Sequence, residues 1–281
     1  MATAASRRLQ DLAAWAPVLG LILVPLAAFL AMSLWRLEDG EIVRDLTLDN
    51  YRRFVADAVF LPVFARTCLL ASGVALITLV VGYPCALWLV GLAGRARLLV
   101  TLAFAVPLLM SYLIKIYAIR ALLGGNGFLN AVLLGLGLVT TPVTAFMFNL
   151  TAVLITLSIL LLPFTILPIV LALERIPDRL LEASADLGAP FGRTFRHVIW
   201  PLSRQGALVG AAFTFVLALG DFVTPQMVGG PGGLTFGRIV YSQFGLAYNW
   251  PFGAALSVIL AVTVLVVLAL TAALARPRAV G

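Results

Sequence analysis

Residues 174–204 read ERIPDRLLEASADLGAPFGRTFRHVIWPLSR, the most polar stretch of a chain whose other segments are mostly apolar. Asp178 stands where a helix N-cap belongs, and Glu182 and Asp186 follow it at helical spacing. Leu180, Leu181, Ala185 and Leu187 supply an apolar component between them. Gly188 tolerates the positive φ at which a helix ends. Pro190 cannot continue that helix but suits the first turn of the next. Phe191, Phe195 and Val198 recur at i, i+4 and i+7, on one helical face. The spacing predicts two short helices joined by a Gly188-Ala189-Pro190 bend, an elbow shaped to plug a groove on another protein. An amphipathic surface hairpin with no partner would show the same pattern.

Around this elbow the composition rules out a soluble domain. Of 281 residues, 62% are apolar and 11% charged, and the mean hydropathy is +1.09. So few charges cannot cover a water-exposed surface, so most of that surface faces lipid. The net charge of +7 comes from 18 arginines and Lys115, in small groups between apolar runs with no basic stripe. That distribution fits orientation in a membrane rather than nucleic-acid binding. Cys68 and Cys85 share one apolar run, roughly 25 Å apart at helical rise, too far for a disulfide in a continuous helix.

Charges and turn residues mark six predicted spans, at about 12–35, 67–93, 98–123, 145–173, 205–228 and 252–275. The fold class is all-α, a single polytopic transmembrane domain over residues 1–281 with about six helices. Between the third and fourth spans, Gly124-Gly125-Asn126-Gly127 and Thr140-Thr141-Pro142 frame a loop with a short helix near 128–138. With the N-terminus inside, the cytoplasmic segments hold 11 of the 19 cations, while six acids outweigh five arginines between Arg36 and Arg66. That bias predicts cytoplasmic termini.

The elbow also carries a resemblance. Glu182-Ala183-Ser184, Gly188 and Val198-Ile199-Trp200-Pro201 resemble the EAA loop of binding-protein-dependent ABC importer permeases. Ser184, Val198 and Trp200 stand where that pattern has Ala, Ile and Leu. SYLIKIYAIRALLGGNGFLN (111–130), GDFVTPQMVGGPGGLTFGRIVYSQF (220–244) and Asn249-Trp250-Pro251-Phe252-Gly253 resemble spermidine/putrescine-type permeases, most of all the first of their two membrane subunits. The resemblance implies a type I importer fold in the bacterial cytoplasmic (inner) membrane. It further implies a pair of cytoplasmic ATPase subunits, a second homologous permease subunit forming a heterodimer, and a periplasmic or external solute-binding protein. ATP and Mg would then sit on the ATPase, with no cofactor and no metal on this chain. Glu182, Ala183, Ser184, Gly188, Ala189 and Pro201 become the ATPase-coupling elbow, and a small cation such as a polyamine becomes the expected solute.

Asp221 is the ionisable residue whose place inside a span is hardest to dismiss, since such groups usually face a cavity or a partner. One reading makes it a counter-charge lining the path of a cation. The other, slightly favoured, makes it a structural ion pair with Lys115, Arg120 or Arg238. Tyr112, Tyr117, Phe222, Tyr248 and Trp250, with Tyr241 and Phe244, form either an interfacial aromatic belt or a gate for an amine. Pro163 and Pro168 predict kinks in the fourth span.

Catalytic signatures are missing from the sequence: the sole histidine is His197, and no HExxH, GxSxG or GxxxxGK[ST] occurs. GGPGG (229–233) lacks a lysine and reads as a loop. Two further solute classes remain open, another small organic solute or a metal complex. Two different classes remain, an integral-membrane enzyme, disfavoured by the missing catalytic clusters, and a stand-alone ion-coupled transporter, for which six spans are few and the elbow superfluous.

Overall fold

The computed structural model describes residues 20–275 and divides them into two compact units, residues up to 61 with 239–262, and residues 62–238 with 263 onward. The start of the first predicted span and both chain ends lie outside the described residues.

In the first unit, helix α1 (Gly20–Ser33) is apolar and its leucines are exposed, as lipid-facing residues would be. A short antiparallel hairpin follows, β1 (Arg36–Glu38) with β2 (Glu41–Val43) in Arg36↔Val43 register, an element that the all-α reading did not contain. Asp39 and Gly40 turn it with φ of 49° and 84°, the left-handed geometry that two-residue hairpin turns require. Helix α2 (Asp49–Ala56) is stapled down by Asn50, whose Nδ2 donates to the Ser33 and Trp35 carbonyls at 2.9 and 2.7 Å. Phe60 meets Phe252 edge-on at 4.9 Å, and the Arg53 guanidinium lies 4.5 Å from the Phe252 ring centre.

The second unit takes most of α3 (Phe60–Gly91), then α4 (Gly94–Leu109), α5 (Tyr112–Leu123), α6 (Phe128–Gly135) and α7 (Leu150–Leu173). After these come α8 (Asp178–Asp186), α9 (Phe191–Thr194), a π turn over 195–199, α10 (Trp200–Gly220) and α11 (Val223–Val228). Helices α12 (Phe236–Gly245) and α13 (Trp250–Ala275) each run from one unit into the other. Five helical stretches among the described residues are long and apolar enough to cross a membrane: 60–91, 112–135, 150–173, 191–220 and 250–275.

Helix α7 is the most buried of these, and small residues bring α10 against it. A Cβ on Gly206 would stand 2.5 Å from the Pro168 carbonyl oxygen, and one on Gly210 2.8 Å from that of Thr165. The pair is four residues apart, the small-xxx-small spacing by which membrane helices approach closely. Buried hydroxyls add directionality: Thr165 Oγ1 donates to Thr78 Oγ1 at 2.9 Å and lies 2.7 Å from Thr214 Oγ1, tying α3, α7 and α10 together. Asn130 anchors the predicted loop, its Nδ2 donating to the Gly124 carbonyl and its Oδ1 accepting from Val143 N–H at 2.8 Å.

Two predicted spans are interrupted. The third, 98–123, divides at Met110-Ser111, where Met110 is extended, just beyond Pro107. The fifth, 205–228, divides at Asp221-Phe222, where Asp221 is extended. Such breaks are sustained at membrane depth only where the freed backbone meets protein or a cavity.

Candidate functional site: an elbow, a spanning helix and a cavity

The elbow forms, with two differences. Pro177 occupies the cap position and Asp178 is the first helical residue, without the predicted side-chain cap bond. The second arm is not a separate short helix. It passes through the π turn into α10, giving one continuous helix over 191–220. Trp200 N–H bonds the Phe195 carbonyl five residues back, and Pro201 follows with no N–H to offer. In a regular helix residues five apart diverge by about 140°. The wider π turn brings Phe195 and Trp200 to the same Tyr83 ring, at 5.7 and 5.6 Å.

Gly188 makes the bend at φ +68°, with no atom within 4 Å of where a Cβ would stand. Its N–H bonds the Ala185 carbonyl, and Ala189 N–H bonds that of Ser184. Ser184 Oγ lies 2.7 Å from Thr194 Oγ1, a strut between the two arms. Glu182, Ala183, Leu187, Gly188, Phe191 and Pro201 are exposed, while Ser184 and Ala189 are half-buried. The exposed acid, leucine and phenylalanine form a mixed polar and apolar tip available to a partner. Behind the tip, Arg97 pairs with Glu174, joining the base of α4 to the end of α7.

At the far end of the continuous helix over 191–220, about 45 Å from Phe191 at helical rise, the two helix breaks meet. A cavity of about 520 Å³ opens there, its walls including Met110, Tyr112, Lys115, Phe164, Asp221 and Phe222. Asp221 Oδ1 accepts from Val223 and Thr224 N–H at 3.0 and 3.3 Å, holding the start of α11. Its Oδ2 accepts from the Tyr112 hydroxyl at 2.7 Å, and that hydroxyl also lies 2.8 Å from Thr224 Oγ1.

The favoured ion pair of Asp221 is therefore not formed. Arg238 Nη1 donates to the Gly230 carbonyl and holds the GGPGG loop; Arg120 lies over the Phe148 ring; Lys115 Nζ is 5.6 Å from the Tyr112 ring centre. Hydrogen bonds at a helix break replace the ion pair, because the freed N–H groups of α11 need an acceptor. Lys115 nevertheless lines the same cavity, so the walls offer one charge of each sign.

Of the predicted aromatic gate, Tyr112 and Phe222 stand at the cavity. Tyr117 does not line it and is 56% exposed, since it lies five residues along α5 from Tyr112. Tyr248 and Trp250 belong to the first unit, where Trp250 packs against Phe244 at 6.1 Å. Thr224 and Tyr83 carried no sequence signal of their own.

Comparison with known proteins places this geometry in context. The profile of the family described as "Binding-protein-dependent transport system inner membrane component" matches residues 24–277. The spermidine/putrescine transport system permease protein PotB of Escherichia coli is 35% identical over 242 residues, covering 86% of this chain and 87% of that protein. The inner membrane ABC transporter permease protein YdcU of the same organism is 36% identical over 231 residues, covering 78% and 72%. Among solved structures, a chain of a bacterial alginate ABC transporter in complex with an alginate-bound periplasmic protein superposes with a TM-score of 0.77. That match has 15% identity and covers 95% of this chain and 93% of the other, a likeness of fold.

Proposed function

The chain belongs to the binding-protein-dependent transport system inner membrane components, and from that membership we propose that it forms half of the import path for a small organic cation, a polyamine. It is a multi-pass permease subunit of an ABC importer of the inner membrane. It receives solute by way of a binding protein, and ATP is hydrolysed on a separate subunit.

One observation carries the mechanism: the elbow and the cavity are opposite ends of one helix. Residues 191–220 are continuous, with Gly188 just before them and Asp221 just after. An ATPase that grips the Glu182–Gly188 tip and moves as its nucleotide sandwich closes would displace α10, and with it the broken end at Asp221. The Thr78–Thr165–Thr214 hydroxyls and the close glycine contacts make α7 and α3 follow. Solute entering from the binding protein would meet Tyr112, Phe222 and the Asp221 carboxylate, groups suited to an amine through charge and cation–π attraction. A homologous second permease would supply the other half, as a heterodimer in the lipid bilayer. Both termini would be cytoplasmic, and ATP and Mg would be held on the ATPase pair.

The test is uptake of labelled putrescine and spermidine in cells with the chain, without it, and with Glu182→Lys. Loss of uptake in both defective strains is expected. Uptake unchanged by deletion, in a strain with no second polyamine importer, would overturn the substrate and leave the importer standing. A second reading, another small organic solute or a metal complex, draws on Lys115, whose ammonium faces the same cavity and suits an anionic cargo. Competition of labelled uptake by unlabelled anions distinguishes the two.

A further inference from the structure

A second cavity lies against the base of the elbow, about 520 Å³ in volume and lined by Leu79, Tyr83, Gly192, Phe195, Arg196 and Trp200. It is separate in residues and in position from the cavity at Asp221. Leu79 and Tyr83 stand one turn apart on α3 and form one wall. Phe195 and Trp200, brought together by the π turn, form the other. The Tyr83 hydroxyl is engaged by Ser203 Oγ at 2.5 Å, and both residues are buried. Arg196 is the only charged residue of the lining; it is exposed and forms no salt bridge among the described residues.

We propose that this slot binds one anionic phospholipid, an acyl chain lying between Tyr83 and Trp200 and the phosphate held by Arg196. Three observations converge on that occupant. The slot sits where apolar spanning helices give way to the polar elbow, the level at which hydrocarbon meets headgroups. Its walls are aromatic and aliphatic, as an acyl chain requires, and Tyr and Trp are the residues that favour that interface. Its one charged lining residue is Arg196, in no salt bridge among the described residues, and a guanidinium's planar fork matches a phosphate. Basic pockets between membrane helices recognise anionic headgroups by the same chemistry. Trp200, the residue that departs most in size from the EAA-type pattern, supplies one wall of the slot. Because Phe195, Arg196 and Trp200 belong to the helix that carries the elbow's second arm, a lipid held here would brace the base of that helix against α3.

The experiment measures phosphatidylglycerol and phosphatidylcholine retained by the purified permease complex after reconstitution in mixed vesicles of the two and extraction in mild detergent. Native mass spectrometry reads the bound lipid. The intact protein should keep phosphatidylglycerol in preference. Arg196→Gln should reduce that preference about fivefold, the effect of one basic residue near an anionic surface. Arg179→Gln removes the same charge from exposed α8, outside the slot, and should leave the preference in place. Gly192→Leu fills the slot from a helical position with no atom within 4 Å of a Cβ. It should abolish retention of either lipid. Retention unaltered by both Arg196→Gln and Gly192→Leu would overturn the proposal. So would loss of the copurifying ATPase with lipid retention intact, which would assign the slot to a protein partner.

Discussion

Asp221 combines two functions that a substitution can separate. Through Oδ1 it holds the first N–H groups of α11, and through Oδ2 it draws the Tyr112 hydroxyl of α5 to the same point. Asp221→Asn keeps an acceptor oxygen for Val223 and Thr224, and its amide can donate to the Tyr112 oxygen, so the helix start is preserved while the charge is removed. The melting midpoint in detergent should stay close to the parent's, while the KM for cation uptake rises. Asp221→Ala removes the acceptor as well, and loss of a helix-start acceptor costs about 1 kcal/mol, so the midpoint should fall and the KM should rise. An unchanged KM in Asp221→Asn would show that the carboxylate serves the helix alone. The sequence marks Asp221 as an anomaly, a charge inside an apolar run, but not its partner. Lys115, Arg120 and Arg238 attract attention by their sign. The groups in need of an acceptor were the N–H groups freed by a break, and a break is not visible in composition.

Among the elements, the contact of α7 with α10 fixes the unit, and two glycines set its spacing. Backbone atoms of Pro168 and Thr165 stand where their side chains would be, so relief requires the helices to separate. Gly206→Val and Gly210→Val should each destabilise the folded protein by about 1–3 kcal/mol, the usual cost of overpacking, read as a lower melting midpoint. Gly91→Ala, at the open end of α3 with no atom within 4 Å, should leave the midpoint unchanged. Equal midpoints for all three variants would mean that α7 and α10 are not held by this contact. At this scale the sequence is most legible, since an apolar run bounded by charges dictates a spanning helix almost by itself. Helices α7 and α13 begin and end within about five residues of the limits of the fourth and sixth apolar runs. The third and fifth divide because a run's hydropathy is indifferent to one or two extended residues within it. Pro107 hints at the first break, but three residues early. The π turn has no compositional mark at all; only its result, Trp200 beside Phe195 on one tyrosine, shows why a large ring fits there.

At the scale of the whole molecule, coupling depends on which side of the membrane the elbow faces. Arginines at 95, 97, 175, 179, 193, 196 and 204 cluster at the elbow end of the second unit. Retention of basic loops on the cytoplasmic side would put that end inside and the loop between α6 and α7 outside. Leu187, at the elbow tip, is 85% exposed, and Leu138, in that loop, is 67% exposed, so both admit a cysteine without disturbing packing. Cys68 and Cys85 lie within α3 and are replaced by Ser and Ala to give a silent background. A membrane-impermeant maleimide applied to intact spheroplasts should label Leu138→Cys at once and Leu187→Cys only after permeabilisation. The opposite pattern would put the elbow outside, beyond the reach of any ATPase, and would dismantle the coupling scheme while leaving the helices as described. If the expected pattern holds, ATPase added to permeabilised spheroplasts should slow labelling of Leu187→Cys and leave Leu138→Cys unaffected, because only the elbow tip would be covered.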